Sequence, residues 1–206
     1  MTVRRLSPAL ATGKPPIKLT NTALLSRLRT LHCYHKCMKY IFRLLWLVLT
    51  QSRRSRCDLT GPCETHFRVL PNDLDVLMHV NNGVYLTIAD LGRMDLLLRS
   101  DTYHRIRKKG WYAVVAAETI RFKKSLKLWQ RFSITTRVVA WTEKSLFLEQ
   151  TFNAGDTLVA RAVIDVRFLS HRGGIVTSDE LLDHLDIDAE SPTVPDWIEN
   201  WSRNNQ

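Results

Sequence analysis

Between Asp73 and Asn82 the chain gathers Asp73, Asp75, His79, Asn81 and Asn82, inside the stretch DLDVLMHVNNGVYLTIADLGR. These side chains suit chemistry at a carbonyl group. A carboxylate can deprotonate water or attack the carbon directly. Asn81 or Asn82 would cap the helix that the next residues predict, leaving the N–H groups of Gly83, Val84 and Tyr85 turned outward. Donors at the positive end of a helix suit an oxygen on which negative charge develops. Asp75, in the loop just ahead, could face the same atom. Each residue also has a plainer reading. Asp is common in turns, and on composition alone turn acids are the simpler account of Asp73 and Asp75. His79 fits a hydrogen-bonded structural histidine. Asp90 and Arg93, three apart on one helix, explain each other as an ion pair. Asp90 as a second active-site acid is the alternative.

The elements that position this cluster follow from the hydrophobic pattern. GVYLTIADLGRMDLLL is apolar around most of its circumference, which predicts a helix from Gly83 to Arg99 covered on nearly every side. ETHFRVL reads as a strand leading into a loop, Pro71–Met78. TYHRIRKK adds a short basic helical piece ending at Gly110. From Trp111 the period becomes two, and WYAVVAAETIRFK, RFSITTRVVAW, SLFLEQTF and TLVARAVIDVRFL read as strands parted by turn signals. Phe132, Ile134, Thr136, Val138 and Ala140 should share a face. So should Leu146, Leu148, Gln150 and Phe152, and again Leu158, Ala160, Ala162, Ile164, Val166 and Phe168. Long strands with short turns make an antiparallel meander. Ser178 is expected to cap the helix SDELLDHL, and Trp197 and Trp201 are expected to dock on the domain. The expected fold class is α+β: one antiparallel sheet wrapped around one long central helix, with a basic N-terminal helical extension.

The formal charge of +10 is unevenly placed. Residues 1–57 hold twelve Lys/Arg and no acid, while the remainder holds eighteen against all twenty acids. The main domain is near neutral, which removes support for a nucleic-acid partner. Cys33, Cys37, Cys57 and Cys63 all precede residue 64, so the domain does not read as a disulfide scaffold and fits a reducing compartment. HCYHKC crowds its ligands more closely than zinc spacings do, and no metal is expected.

Four segments are expected: a disordered or non-native leader over 1–37, an apolar and basic helix with linker over 38–61, the main domain over 62–190 and a tail over 191–206. Met38 is a second candidate start. YIFRLLWLVLT is strongly apolar, but it is short and broken by Arg43, so it is a poor membrane span. With RRSR behind it, it reads as an interfacial anchor, a targeting segment or an ordinary packed helix.

The run Asp73-x-Asp75, His79-Val80-Asn81-Asn82, Tyr85-Leu86, Asp90 and Arg93 resembles the hotdog-fold thioesterases of the 4-hydroxybenzoyl-CoA thioesterase type, and among them the THEM6-like branch. The resemblance covers about residues 62–185 and extends to ETIRFKKSLKLWQRFSITTRV and LVARAVIDVRFL. Met78 departs from it, because most members carry glycine before the histidine and Gly permits positive φ. The resemblance implies an acyl-CoA thioesterase acting on an acyl-CoA or acyl-carrier-protein substrate. It makes the second acid, Asp75, the general base or nucleophile. Asn82 would orient water or substrate, Gly83, Val84 and Tyr85 would supply oxyanion donors, and Asp73, His79, Asn81, Asp90 and Arg93 would support. Arg121, Lys123 and Lys124 could meet coenzyme A phosphates, or simply solvate a strand edge. No cofactor is implied, coenzyme A being part of the substrate. The fold implies a homodimer or a dimer of dimers, with substrate between subunits. A non-catalytic acyl-lipid binding or membrane-tethered scaffold protein is the competing expectation. The expected location is cytoplasmic, with membrane association or organelle targeting left open by the N-terminal segment.

Overall fold

The structure is a computed structural model, and it describes residues 40–203. The expected leader over 1–37, the Met38 start and the HCYHKC stretch lie outside the described residues. A helix, α1, covers 40–50, and a 3-10 turn, Gln51–Arg53, follows it. The remaining elements are β1 (Cys63–Arg68), a 3-10 turn (Pro71–Asp73), α2 (Asn82–Arg99), α3 (Thr102–Lys108), β2 (Trp111–Phe122), β3 (Arg131–Trp141), β4 (Leu146–Ala154), β5 (Thr157–Ser170), β6 (Ile175–Val176), α4 (Ser178–His184) and α5 (Asp196–Arg203).

The architecture is α+β, an antiparallel sheet in the order β1-β3-β4-β5-β2, with β6 added to β5. The meander is real only for β3, β4 and β5. Strand β2 does not pair with β3; it crosses to the far edge and pairs with β5. The reason lies in residues 123–130, which run as a crossover rather than a turn. Leu126 of that crossover is fully buried among Val80, Val84, Tyr85 and Phe152 at the N-terminal end of α2. Burying a leucine there stabilises by about 2 kcal/mol, a gain that a tight hairpin would forfeit.

Helix α2 buries ten of its eighteen residues and lies against β1 and β3. Gly92 sets the approach. A Cβ there would stand 3.0 Å from Gln150 Nε2 and 3.3 Å from both Ile134 Cγ2 and Thr136 Oγ1. The buried Gln150 amide uses that closeness, donating to Ala89 O and Thr136 Oγ1 (2.9 Å each) and accepting from Arg93 Nη1 (2.9 Å). A polar group this deep is tolerated because its bonds are made.

Two bulges overturn part of the face assignment. The β3–β4 register shifts between Val138 and Ala140, so Ala140 turns to the opposite face with Phe147, Val163 and Ile198. The β4–β5 register shifts between Phe152 and Asn153, which brings Val159 into the core beside Ala160 and leaves Leu158 outside that cluster. An inserted residue reverses every side chain beyond it. Helix α5 covers the outer face through Ile198, with Trp201 partly buried against it; Trp197, expected to dock, is exposed. The cap of α4 is Thr177, not Ser178. Thr177 Oγ1 accepts from Glu180 N at 3.2 Å, and the Glu180 carboxylate accepts from Thr177 N at 3.1 Å.

Candidate active site

The loop between β1 and α2 is closed by its own backbone. Leu74 and Val80 form an isolated antiparallel bridge, Asp75 N donates to His79 O (2.8 Å), and Met78 N donates to Asp75 O (3.1 Å). Met78 sits at φ 60°, the left-handed region that favours glycine. Met occupies the glycine-type conformation directly, at a cost of about 1–2 kcal/mol.

Asp73 is fully buried. Its Oδ2 accepts from Leu70 N at 2.8 Å and from Arg43 Nη2 at 2.7 Å, and its backbone oxygen accepts from Asn81 N at 2.9 Å. Asp73 therefore ties α1, the end of β1 and the start of α2 together. Asp75 is half-buried on the same loop. Its Oδ1 accepts from Leu77 N (2.8 Å) and His79 N (3.2 Å), while among the described residues Oδ2 has no hydrogen-bond partner. The His79 side chain is exposed, and its backbone does the loop's bonding.

Asn81, not Asn82, is the helix cap. Its Oδ1 accepts from Gly83 N (2.9 Å) and its backbone oxygen from Val84 N (2.9 Å). Two of the three expected oxyanion donors are thus engaged by the cap. The exposed Asn82 begins the helix, and its N–H has no hydrogen-bond partner among the described residues. Tyr85 is buried, stacked edge-on against Phe122 at 5.1 Å and Phe152 at 5.5 Å, and its phenol oxygen accepts from Leu126 N at 3.3 Å. Burial pushes the Tyr85 phenol up, against the opposing pull of that backbone bond.

The crossover completes the mouth of the helix. Phe122 touches Tyr85, Val80 N donates to Leu126 O (3.3 Å), and the N–H groups of Lys123 and Lys124 both hold Val159 O (2.8 and 3.1 Å). Lys123 and Lys124 are exposed between these contacts, and Arg121 is exposed two residues before Lys123.

Further along α2 lies a largely apolar cavity of about 540 Å³. Met94, Leu96, Ile106, Leu148, Val166 and Phe168 supply its apolar wall, and Asp90, Arg93 and Tyr40 its polar part. None of residues 73–85 lines it. Asp90 and Arg93 form an ion pair, and Arg93 also stands 3.7 Å from Glu118. Burial, then the neighbouring Asp90 charge, pushes the Tyr40 phenol up. Asp90 is eight residues beyond Asn82, about 12 Å along the axis at 1.5 Å per residue. The sequence reading missed Tyr40, the Tyr85 phenol and Leu126. Only Leu126 left a signal, as an apolar residue within the basic stretch KKSLKLW.

The architecture places the chain among proteins of hotdog fold. The profile of the thioesterase-like superfamily matches residues 69–202, and the chain belongs to that superfamily. It is 35% identical over 137 residues to protein THEM6 of Xenopus laevis, covering 66% of this chain and 65% of that protein. It is 33% identical over 165 residues to protein THEM6 of Danio rerio, covering 80% and 81%. The chain thus spans just under two thirds of the length of the Xenopus relative. Among solved structures it is similar to the probable thioesterase YbaW from Escherichia coli, with a TM-score of 0.56, 26% identity and coverage of 60% of this chain and 96% of that one. The gentisyl-coenzyme A thioesterase BH1999 shares the fold at a TM-score of 0.53 and 21% identity, over 59% and 99% of the two chains.

Proposed function

We propose that the protein hydrolyses an acyl thioester of coenzyme A or of an acyl-carrier protein, with Asp75 as its carboxylate and no cofactor. The observation that carries this is the Asp75 carboxylate itself. Two backbone N–H groups hold one oxygen, the other is uncommitted, and the group stands on the loop that opens α2. Asp75 either takes a proton from water, whose oxygen then attacks the thioester carbon, or attacks that carbon itself to give an anhydride that water cleaves. In both routes the C–S bond breaks and the thiolate leaves with a proton. The developing oxyanion is met at the start of α2, where Asn82 N–H is the uncommitted donor and Gly83, Val84 and Tyr85 complete the positive helix end. The Asn82 side chain orients water or substrate. Arg121, Lys123 and Lys124 stand beside the same mouth, where a nucleotide phosphate could be held. The cavity further down α2 takes the acyl group, with Asp90 and Arg93 at its polar part.

A homodimer, or a dimer of dimers, completes the site. Among the described residues strand β2 pairs with β5 alone and leaves its other edge open, with Tyr112, Val115 and Phe122 exposed. An unpaired apolar edge invites a second copy. A cytoplasmic location goes with this reading, because cysteines confined to residues 33–63 suit a reducing compartment.

The capping of Gly83 and Val84 favours a second reading, an acyl-lipid binding protein without turnover. A panel of acyl-CoA chain lengths, assayed by thiol release on the purified full chain, separates the two. Saturable hydrolysis supports the enzyme; acyl-CoA binding with no thiol released establishes the binder.

A further inference from the structure

Helix α1 has two unlike faces. Tyr40, Arg43, Leu44 and Leu47 turn inward at a spacing of three and four. Leu47 is buried, Arg43 grips Asp73, and Arg54 beyond the helix donates to Leu47 O at 2.7 Å. The outward face is apolar throughout: Ile41, Phe42 (63% exposed), Leu45, Trp46 (69%), Val48 and Leu49 (74%). Residues 40–50 contain no charge besides Arg43, which points inward. A contiguous apolar face of this kind is an interaction surface rather than ordinary exposure. Arg53 and Arg56 stand exposed just past its end, and no acid occurs before Asp58. Among the described residues no helix is long and apolar enough to cross a membrane.

We propose that α1 lies on an anionic lipid surface, its outward apolar face in the headgroup boundary and Arg53 and Arg56 on acidic headgroups. The charge pattern selects lipid over a protein partner: an apolar face with exposed cations just past its end, while the acids beside the helix, Asp73, Asp90 and Asp95, are each paired with an arginine, matches a negatively charged bilayer. Because Arg43 and Leu47 fix α1 to the domain, binding also fixes how the Asp73–Asp75 loop stands above the membrane.

The test is flotation of the full chain with phosphatidylcholine vesicles, with and without phosphatidylserine. Wild type should float with the phosphatidylserine vesicles. Phe42→Ser/Trp46→Ser/Leu49→Ser should lose roughly a hundredfold in affinity through lost apolar burial. Arg53→Gln/Arg56→Gln should lose roughly tenfold at low salt and little at high salt. Circular dichroism and thioester hydrolysis in detergent-free buffer should be unchanged in both. Unaltered flotation of the triple variant overturns the proposal. So does a wild type that ignores vesicles while the triple variant falls from dimer to monomer, which would make the face an interface between copies.

Discussion

The Arg43 guanidinium holds the fully buried Asp73 carboxylate, Nη2 to Oδ2 at 2.7 Å, and so fastens α1 to the loop that carries Asp75. Asp73 also takes Leu70 N through the same oxygen, so its removal strands more than one partner. Breaking a buried pair from one side costs about 3–5 kcal/mol. Arg43→Ala should therefore lower urea stability by about 3 kcal/mol and speed proteolysis within residues 40–56. An unchanged urea midpoint would mean the pair stabilises nothing.

Met78 at φ 60° is 61% exposed, so its side chain contributes little burial to offset its backbone. Met78→Gly should raise stability by about 0.5–1 kcal/mol, the left-handed penalty less the added freedom of the unfolded chain. A loss of stability in thermal melts would show that the thioether has contacts of its own.

Gly92 lets α2 rest on Gln150, Ile134 and Thr136. Gly92→Ala improves helix propensity by about 1 kcal/mol but forces these neighbours apart at a cost of about 1–3 kcal/mol. Net destabilisation is expected in chemical denaturation, and a more stable variant would contradict the packing described.

The broad layout of this fold was legible in residue pattern, and its failures have local causes. The stretch from Gly83 to Arg99 is apolar around most of its circumference and follows two asparagines fit to cap it, so a covered helix was readable there within one residue of its observed start at Asn82. The strands showed period two, but a bulge leaves no trace in hydrophobicity, which is why Ala140 and Leu158 were put on the wrong face. Pairing of β2 with β5 depends on a crossover held by Leu126, a tertiary contact no local pattern encodes. At the site, the cluster Asp73–Asn82 was visible as residue types. Which asparagine caps the helix, and that the cap takes Gly83 and Val84 N–H, is set by backbone angles at Asn81. Tyr40 entered the cavity wall from a segment whose sequence speaks of surfaces.

Cys63 is fully buried, and burial, then a hydrogen bond with Cys57, pushes its thiol well above the usual range. The thiolate is the reactive form, so Cys63 should resist iodoacetamide in the native protein at mildly alkaline pH and react once urea unfolds it. Peptide mapping by mass spectrometry reads this directly, and rapid native labelling would contradict the buried placement.

Lys123 and Lys124 bear on the carrier. If they meet nucleotide phosphates, Lys123→Ala/Lys124→Ala should raise KM for an acyl-CoA by roughly tenfold, leave kcat nearly unchanged and spare the acyl-pantetheine analogue. Equal effects on both substrates would place the phosphates elsewhere.

Kinetics of Asp75→Asn on a good acyl-CoA substrate probe the heart of this account, a carboxylate poised at the opening of α2 against a thioester carbonyl. Asparagine keeps the size and can still accept from Leu77 and His79 N–H, so circular dichroism and melting should match wild type. The kcat should fall by roughly a hundredfold to ten-thousandfold. A folded Asp75→Asn protein that turns over at the wild-type rate would contradict it.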